Sequence, residues 1–255
     1  MGMPGTDIPD GPDSSELDAA PAGGHTAAVE IWYQCQTGPL DAAGQMAMDE
    51  ALLEAAPRLA RPVLRFYRWT APAATFGLTQ AYAEVSQWTA VRPLVRRPTG
   101  GGLVLHQGDW TYSLVFPPQH PWFHLRALAS YQQLHSWLQA AWERLGVGTE
   151  LSPVTHSNAP GQCFAGAERF DLVRNHRKLA GAAQRRTRQG FLIQGSAQNQ
   201  PEGVTREAWE TAWCAAGEAQ MGIQWMVYIP DPEVTRRADE LCLGKYSQPG
   251  HNQCR

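Results

Sequence analysis

Apolar and polar positions change their period several times along this chain, and each change marks an element. From Val29 to Cys35, Val, Ile, Tyr and Cys alternate with Glu, Trp and Gln, which predicts a strand. Gly38 and Pro39 break it. Asp41 stands where it can cap a helix over residues 42–56, with Met46, Met48, Leu52 and Leu53 as its apolar side. Pro57 is expected to end that helix. Asp49 and Glu50 fall inside it, and the pattern alone turns such a pair of acids toward solvent. Strands are predicted at Val63–Trp69 and Ala74–Leu78, then a short helix at Ala83–Thr89. Pro93–Pro98 leads into three glycines, and Trp110–Phe116 reads as a strand. A long amphipathic helix is predicted over Leu125–Leu145, with Leu128, Tyr131, Leu134, Leu138, Trp142 and Leu145 on one face. Ser152–Phe164 is irregular, and strands follow at Phe170–Arg174, Lys178–Arg188 and Gly190–Ser196. Helices at Thr205–Gln220 and Pro232–Leu243 precede a polar tail. Hairpins in the middle and helices toward both ends describe an α+β fold, with a mostly antiparallel sheet and helices on one side of it.

Composition narrows this picture. Residues 1–28, rich in Gly, Pro, Asp, Ser and Ala, read as a disordered tail, and residues 29–255 as one domain without internal repeats. A net charge of −3, with the basic residues spread out, argues against nucleic acid as a partner. No apolar run is long enough to span a membrane. The N-terminal stretch lacks the cationic and apolar regions of a signal peptide. Gly2 and Thr6 fit the loose myristoylation pattern, but no basic cluster follows to supply a second membrane signal, so the match reads as accidental. The five cysteines form no CxxC pair and no metal-ligand spacing, which points to no metal and to free thiols in a cytoplasmic protein.

Candidate chemistry concentrates in two places. The first is RRPTGGGLVLHQGDWTYS, Arg96 to Ser113. Gly100, Gly101 and Gly102 let a ligand lie against the backbone, beside Arg97 and within reach of His106. The segment reads as a cradle for an elongated or anionic ligand; a glycine-rich hairpin with a solvated arginine pair is the plainer alternative. It is neither a P-loop nor a dinucleotide loop, since a strand follows the glycines. The second place joins Cys163, in a loop, to Lys178, at the head of KLAGAAQRR. A loop cysteine near cations can form the nucleophilic thiolate. Ala180, Gly181, Ala182 and Ala183 leave room beside the lysine, which could hold an acyl carbonyl or carry a proton. Spacing alone would equally suit a spare thiol and a solvated lysine.

Together these segments resemble the biotin/lipoate protein ligase superfamily, and within it the single-domain, cysteine-dependent octanoyltransferases of lipoate–protein ligase A type. The resemblance covers roughly residues 29–246 and is carried by MAMDEALL, LRFYRW, FGLTQ, the glycine segment, Cys163–Phe164, RKLAGAAQRR, FLIQGS and Lys245–Tyr246. It implies a mixed, mostly antiparallel sheet with flanking helices and a tunnel for an octanoyl or lipoyl chain. Gly100, Gly101, Gly102, His106, Gly181 and Ala183 would line that tunnel, Arg97 and Thr99 would shape the loop, and Lys178 would contact the acyl carbonyl. Asp49 and Glu50 match an acidic pair that is structural or partner-facing. The implied reaction passes an octanoyl group from an acyl carrier protein through a Cys163 thioester to a lysine of a lipoyl-domain protein. Such acceptors are the glycine cleavage H protein and the 2-oxoacid dehydrogenase E2. No cofactor is needed; His106 or Lys178 would be the base. The alternatives are an ATP- and Mg-dependent lipoate ligase, an amidotransferase between lipoyl domains, and a non-catalytic carrier-binding protein. The chain ends soon after Lys245–Tyr246, without the accessory domain of the ligases, and Leu78 stands where the adenylate-forming branch often has arginine; both favour a transferase.

Overall fold

A computed structural model describes residues 29–157 and 161–254. The tail expected over residues 1–28 lies outside them. Strand β1 (Glu30–Cys35) leads to helix α1 (Ala42–Leu59), whose first turn is capped where Asp41 accepts from the Gly44 N–H at 2.7 Å. Pro57 does not end this helix. In the last turn a proline forfeits only one N–H bond, and the Ala60 N–H still closes on the Ala56 carbonyl at 3.0 Å. Next come β2 (Val63–Tyr67), β3 (Ala73–Phe76), α2 (Tyr82–Trp88), β4 (Leu94–Arg96), β5 (Val104–His106) and β6 (Trp110–Phe116). The predicted long helix is present as α4 (Ala127–Arg144), and a single turn, α3 (Pro121–His124), precedes it. Two-residue strands β7 (Glu150–Leu151), β8 (His156–Ser157) and β9 (Gly166–Ala167) frame the irregular segment. They precede β10 (Leu172–Arg174), β11 (Arg177–Thr187) and β12 (Gly190–Ala197). The chain then runs through α5 (Arg206–Met221), β13 (Ile223–Tyr228), α6 (Pro232–Leu241), a π-turn at Cys242–Tyr246 and α7 (Pro249–Asn252). Among the described residues no helix is long and apolar enough to cross a membrane.

The main sheet has the order β13-β1-β2-β6-β12-β11-β10-β7. Only β13 with β1 and β1 with β2 run parallel, so the sheet is mixed and mostly antiparallel, as expected. A smaller sheet, β4-β3-β5, carries the glycine loop. The expectation of helices on one side is corrected: α4 and α5 cover one face and α1 and α6 the other. The reason lies in the central strands, where every residue of β12 is buried and both faces need cover. The α4/α5 face is packed with tryptophan: Trp32, Trp137, Trp209 and Trp213 are all buried. Trp32 meets Trp137 edge-on at 5.9 Å and 87°. Leu134, Leu138 and Trp142 of the predicted helix face point into this core, whereas Leu128 stays 52% exposed.

The opposite face holds a polar cluster. Asp49 and Glu50 do not face solvent; Asp49 is fully buried and Glu50 nearly so. Across neighbouring strands Arg65 pairs with Ser113 and Ser113 with Gln194, which sets three polar side chains in a row. Asp49 sits over that row. Its Oδ1 accepts from Arg65 Nη1 at 2.8 Å and from Ser113 Oγ at 2.7 Å, and its Oδ2 accepts from Gln194 Nε2 at 2.7 Å. Removing one partner of such a buried pair strands a charge, at a cost of about 3–5 kcal/mol. Glu50 fastens the C-terminal segment instead: Lys245 Nζ donates to Oε2 at 2.5 Å and Tyr246 Oη at 2.7 Å. The polar tail is therefore built in, and Arg96 binds the carbonyls of His251, Asn252 and Cys254.

Burial raises the Glu50 pKa, but the hydrogen bonds from Lys245 and Tyr246 and the charges of Lys245 and Arg185 outweigh it. The carboxyl ends below its usual 4.5. A lowered carboxylate stabilises the fold above its unfolded pKa and stops doing so as pH falls through the folded one. Urea unfolding of the wild type and Glu50→Gln should therefore differ at pH 7, and the difference should shrink as pH falls from 4.5 through the lower folded pKa. A difference that stays constant across that window would contradict this role.

Candidate acyl site at the glycine loop

Register builds the floor of the site. Tyr67 pairs with Thr111, Thr111 with Ser196, and Ser196 with Gly181, so these four lie in one row across four strands. Ala183 stands beside Gln194 in the neighbouring row. Met46 of α1 and Thr75, Arg97, Val104 and His106 of the smaller sheet complete an inner slot of about 450 Å³ of empty space. An outer groove of about 970 Å³ opens past Gly101, Gly102, Leu128 and Tyr131. Leu128, expected in the core, lies on this groove because it sits in the first turn of α4. Cys163, Lys178, Ala182 and Ala183 line both cavities and mark their junction.

The Cys163 loop is held by backbone pairing: its N–H donates to the Leu103 carbonyl at 3.0 Å, and the Leu103 N–H donates to the Gly161 carbonyl at 2.7 Å. That close approach explains Gly102, where a methyl would lie 2.4 Å from the Gly161 oxygen. In return the Gly102 N–H donates to Cys163 Sγ at 3.0 Å. Arg97 is buried and donates to the carbonyls of Gly102 at 2.8 Å and Thr75 at 3.3 Å, and to that of Gly100. Burial pulls the guanidinium pKa below its usual value, while the charge and hydrogen bond of Cys163 push it up. An N–H dipole and a cation thus meet at one sulfur. By contrast, burial pushes the thiols of Cys35 and Cys214 up to about 12.

Lys178 reaches the same junction through a bulge. Leu172 pairs with Ala180 but Val173 with Lys178, so Leu179 is an extra residue. The bulge reverses the alternation and brings Lys178 to the face of Gly181 and Ala183. Its Nζ donates to the Cys163 carbonyl at 2.8 Å, lies 2.6 Å from Asp171 Oδ2, and sits 4.9 Å above the Phe164 ring. Gly181 is glycine for the same reason: a methyl there would lie 2.3 Å from Lys178 Cε.

Other expected residues fall around this centre. Thr99 and Gly100 line neither cavity; Thr99 Oγ1 instead donates to Gln194 Oε1 at 2.8 Å, so it shapes the loop rather than the slot. The anionic cradle and the solvated arginine pair both give way, since Arg96 and Arg97 are buried against main-chain carbonyls. His106 lines the inner slot, stacked on Trp69 at 3.9 Å. Its Nδ1 is 2.9 Å from Asp109 Oδ2 and its Nε2 2.9 Å from Thr75 Oγ1. Both ring nitrogens are engaged away from Cys163, which leaves His106 badly placed as its base. Asp171, Gln194, Met46 and Phe164 were missed by the sequence reading. Among the described residues no three His, Cys, Asp or Glu side chains gather as a metal site would require.

A Gly181→Ala variant tests the packing of this lysine. Overpacking should cost about 1–3 kcal/mol, and a crystal structure of the variant should show Nζ displaced from the Cys163 carbonyl. Unchanged stability with Nζ in place would refute the steric account.

Comparison with known proteins places these features in context. A family model described as the lipoyl protein ligase A/B catalytic domain matches residues 41–201. Octanoyltransferase LipM of Carboxydothermus hydrogenoformans is 36% identical over 175 residues, covering 66% of this chain and 65% of that one. Octanoyltransferase LipM of Staphylococcus aureus is 33% identical over 181 residues, 66% of each chain. The matched stretch thus spans just under two-thirds of those relatives. Among solved structures, lipoate-protein ligase A bound with ATP superposes with a TM-score of 0.71 at 18% identity, covering 88% of this chain and 98% of that one. The bi-partite lipoate protein ligase of Thermoplasma acidophilum, described with its E2 lipoyl domain, gives 0.67 at 18%, covering 88% and 96%. At that identity the structural likeness concerns the fold.

Proposed function

The chain belongs to the lipoyl protein ligase A/B catalytic-domain family, and on that premise we propose that it is an octanoyltransferase acting through an acyl-Cys163 thioester. One observation carries the reading: Sγ of Cys163 accepts the Gly102 N–H at the junction of the inner slot and the outer groove. The slot offers an acyl chain apolar contact with Met46, Val104, Ala182 and Ala183, and the groove lies on the side from which the arm or loop of a partner protein would reach the sulfur. The LipM relatives are octanoyltransferases, which supports the same substrate class.

In the first step the Cys163 thiolate attacks the carbonyl of an octanoyl thioester on an acyl carrier protein. A carbon–sulfur bond forms to Sγ, the bond to the donor sulfur breaks, and the departing thiolate takes up from solvent the proton that Cys163 released on forming its own thiolate. Lys178 and the glycine-loop N–H groups stabilise the oxyanion that appears in between. In the second step the amine of a lipoyl-domain lysine attacks the acyl-enzyme. A carbon–nitrogen bond forms, the bond to Sγ breaks, and the amine proton returns to the sulfur. Exchange between thioesters is nearly balanced and thioester to amide runs downhill, so the pair of steps needs neither ATP nor metal. The acceptors are proteins of the lipoyl-domain class, such as the glycine cleavage H protein or a 2-oxoacid dehydrogenase E2.

Cys163→Ala should cut transfer from octanoyl carrier protein to an apo lipoyl domain by roughly 10³-fold or more, measured by mass of the acceptor. Wild-type rates in that variant would sink the covalent route. Release of pyrophosphate from lipoate, ATP and acceptor would move the chain to the ligase class instead.

A further inference from the structure

Lys178 is a buried ammonium, and burying a charge without a counter-charge is costly. Asp171 supplies the counter-charge: the two side chains are 7% and 5% exposed for the acid and the lysine, and Oδ2 lies 2.6 Å from Nζ. The carboxylate is itself fixed. The Glu168 N–H donates to Oδ2 at 2.7 Å, the Asp171 N–H donates to the Glu168 carbonyl at 2.9 Å, and the Ser152 N–H donates to the Asp171 carbonyl at 2.8 Å. Gly181 closes the other side, where a methyl would come within 3.0 Å of Asp171 Oδ1 as well as against the lysine. The acid and the ammonium therefore occupy one shaped space beside the bulge. An ammonium has three N–H donors. Asp171 and the Cys163 carbonyl take two of them, and among the described residues no third protein acceptor is recorded for Nζ.

We infer that Asp171 is the positioning residue for Lys178, holding the ammonium at the junction of slot and groove so that its remaining N–H meets the carbonyl oxygen of the incoming thioester. Asp171 acts through the lysine and does not touch the acyl group. A donor aimed at a developing oxyanion is effective only while it is preorganised, and a lysine stem has four rotatable bonds to misplace it.

The inference rests on the acyl-Cys163 reading, and a single assay separates the two. Octanoyl carrier protein is mixed with the full chain and acylation of Cys163 is followed by intact mass. A wild type that never gains an octanoyl group contradicts the covalent reading. If the wild type does gain it, Asp171→Asn should acylate at least tenfold more slowly, with little change in the donor concentration for half-maximal rate. Asp171→Glu should recover part of the rate. In a Lys178→Gln background, Asp171→Asn should cause no further loss, because the residue acts only through the lysine. Wild-type rates for Asp171→Asn, or losses that multiply in the double variant, would overturn the inference. Should Asp171→Asn fail to fold, the double variant, which removes both buried charges, is compared directly with Lys178→Gln. Equal rates support the role and a further loss overturns it.

Discussion

The carboxylate of Asp49 ties together more of this molecule than any apolar contact does. It lies on a helix, yet its three partners stand in register on β2, β6 and β12. A helix packed over a sheet by apolar contacts alone can slide or rotate by small amounts. A carboxylate that must satisfy Arg65, Ser113 and Gln194 at once fixes both the height and the azimuth of α1. Gln194 then passes the constraint onward, because its other amide atom accepts from Thr99 in the glycine loop. The route from buried ion pair to glycine loop is thus two hydrogen bonds long. Met46, one turn before Asp49, is set against the slot by the same helix.

What the loop then does follows from where its N–H and C=O groups go. The Gly102 amide turns toward the Cys163 sulfur, while the Gly100 and Gly102 carbonyls turn toward Arg97. The arginine therefore has two roles, closing the loop and placing positive charge near the thiol. For two other cysteines, Cys35 and Cys214, burial pushes the thiol up to about 12. Loop geometry decides that Cys163 is the sulfur that meets the Gly102 N–H.

Much of this was legible in the sequence, and what was not shares a physical cause. Strand periods, the Asp41 cap and the glycine and lysine segments are local signals, and the elements they predict are present. Asp49 and Glu50 read as solvent-facing because an acid on a helix reveals its burial only when its partners arrive from segments up to 196 positions away. β13 escaped notice because it is an edge strand with Met226 and Val227 exposed, so its alternation is weak. Asp171 could have been found by folding the hairpin on paper, since it lies just before the strand that pairs with β11. The bulge at Leu179, which brings Lys178 to the correct face, leaves no mark in residue type. Thr99 matched the family pattern and still lies off the slot, a reminder that a motif fixes a loop's shape as well as its ligand contacts.

The covalent reading stands or falls on whether the acyl-enzyme is a competent intermediate. The most direct measurement isolates the acylated protein away from donor, mixes it with an apo lipoyl domain in the absence of ATP, and follows both masses through a single turnover. The account predicts that the octanoyl group leaves Cys163 and appears on the acceptor lysine in equal amount, at a rate no slower than steady-state turnover. An acyl-enzyme that persists in the presence of the acceptor, or loses its octanoyl group only to water, would contradict it.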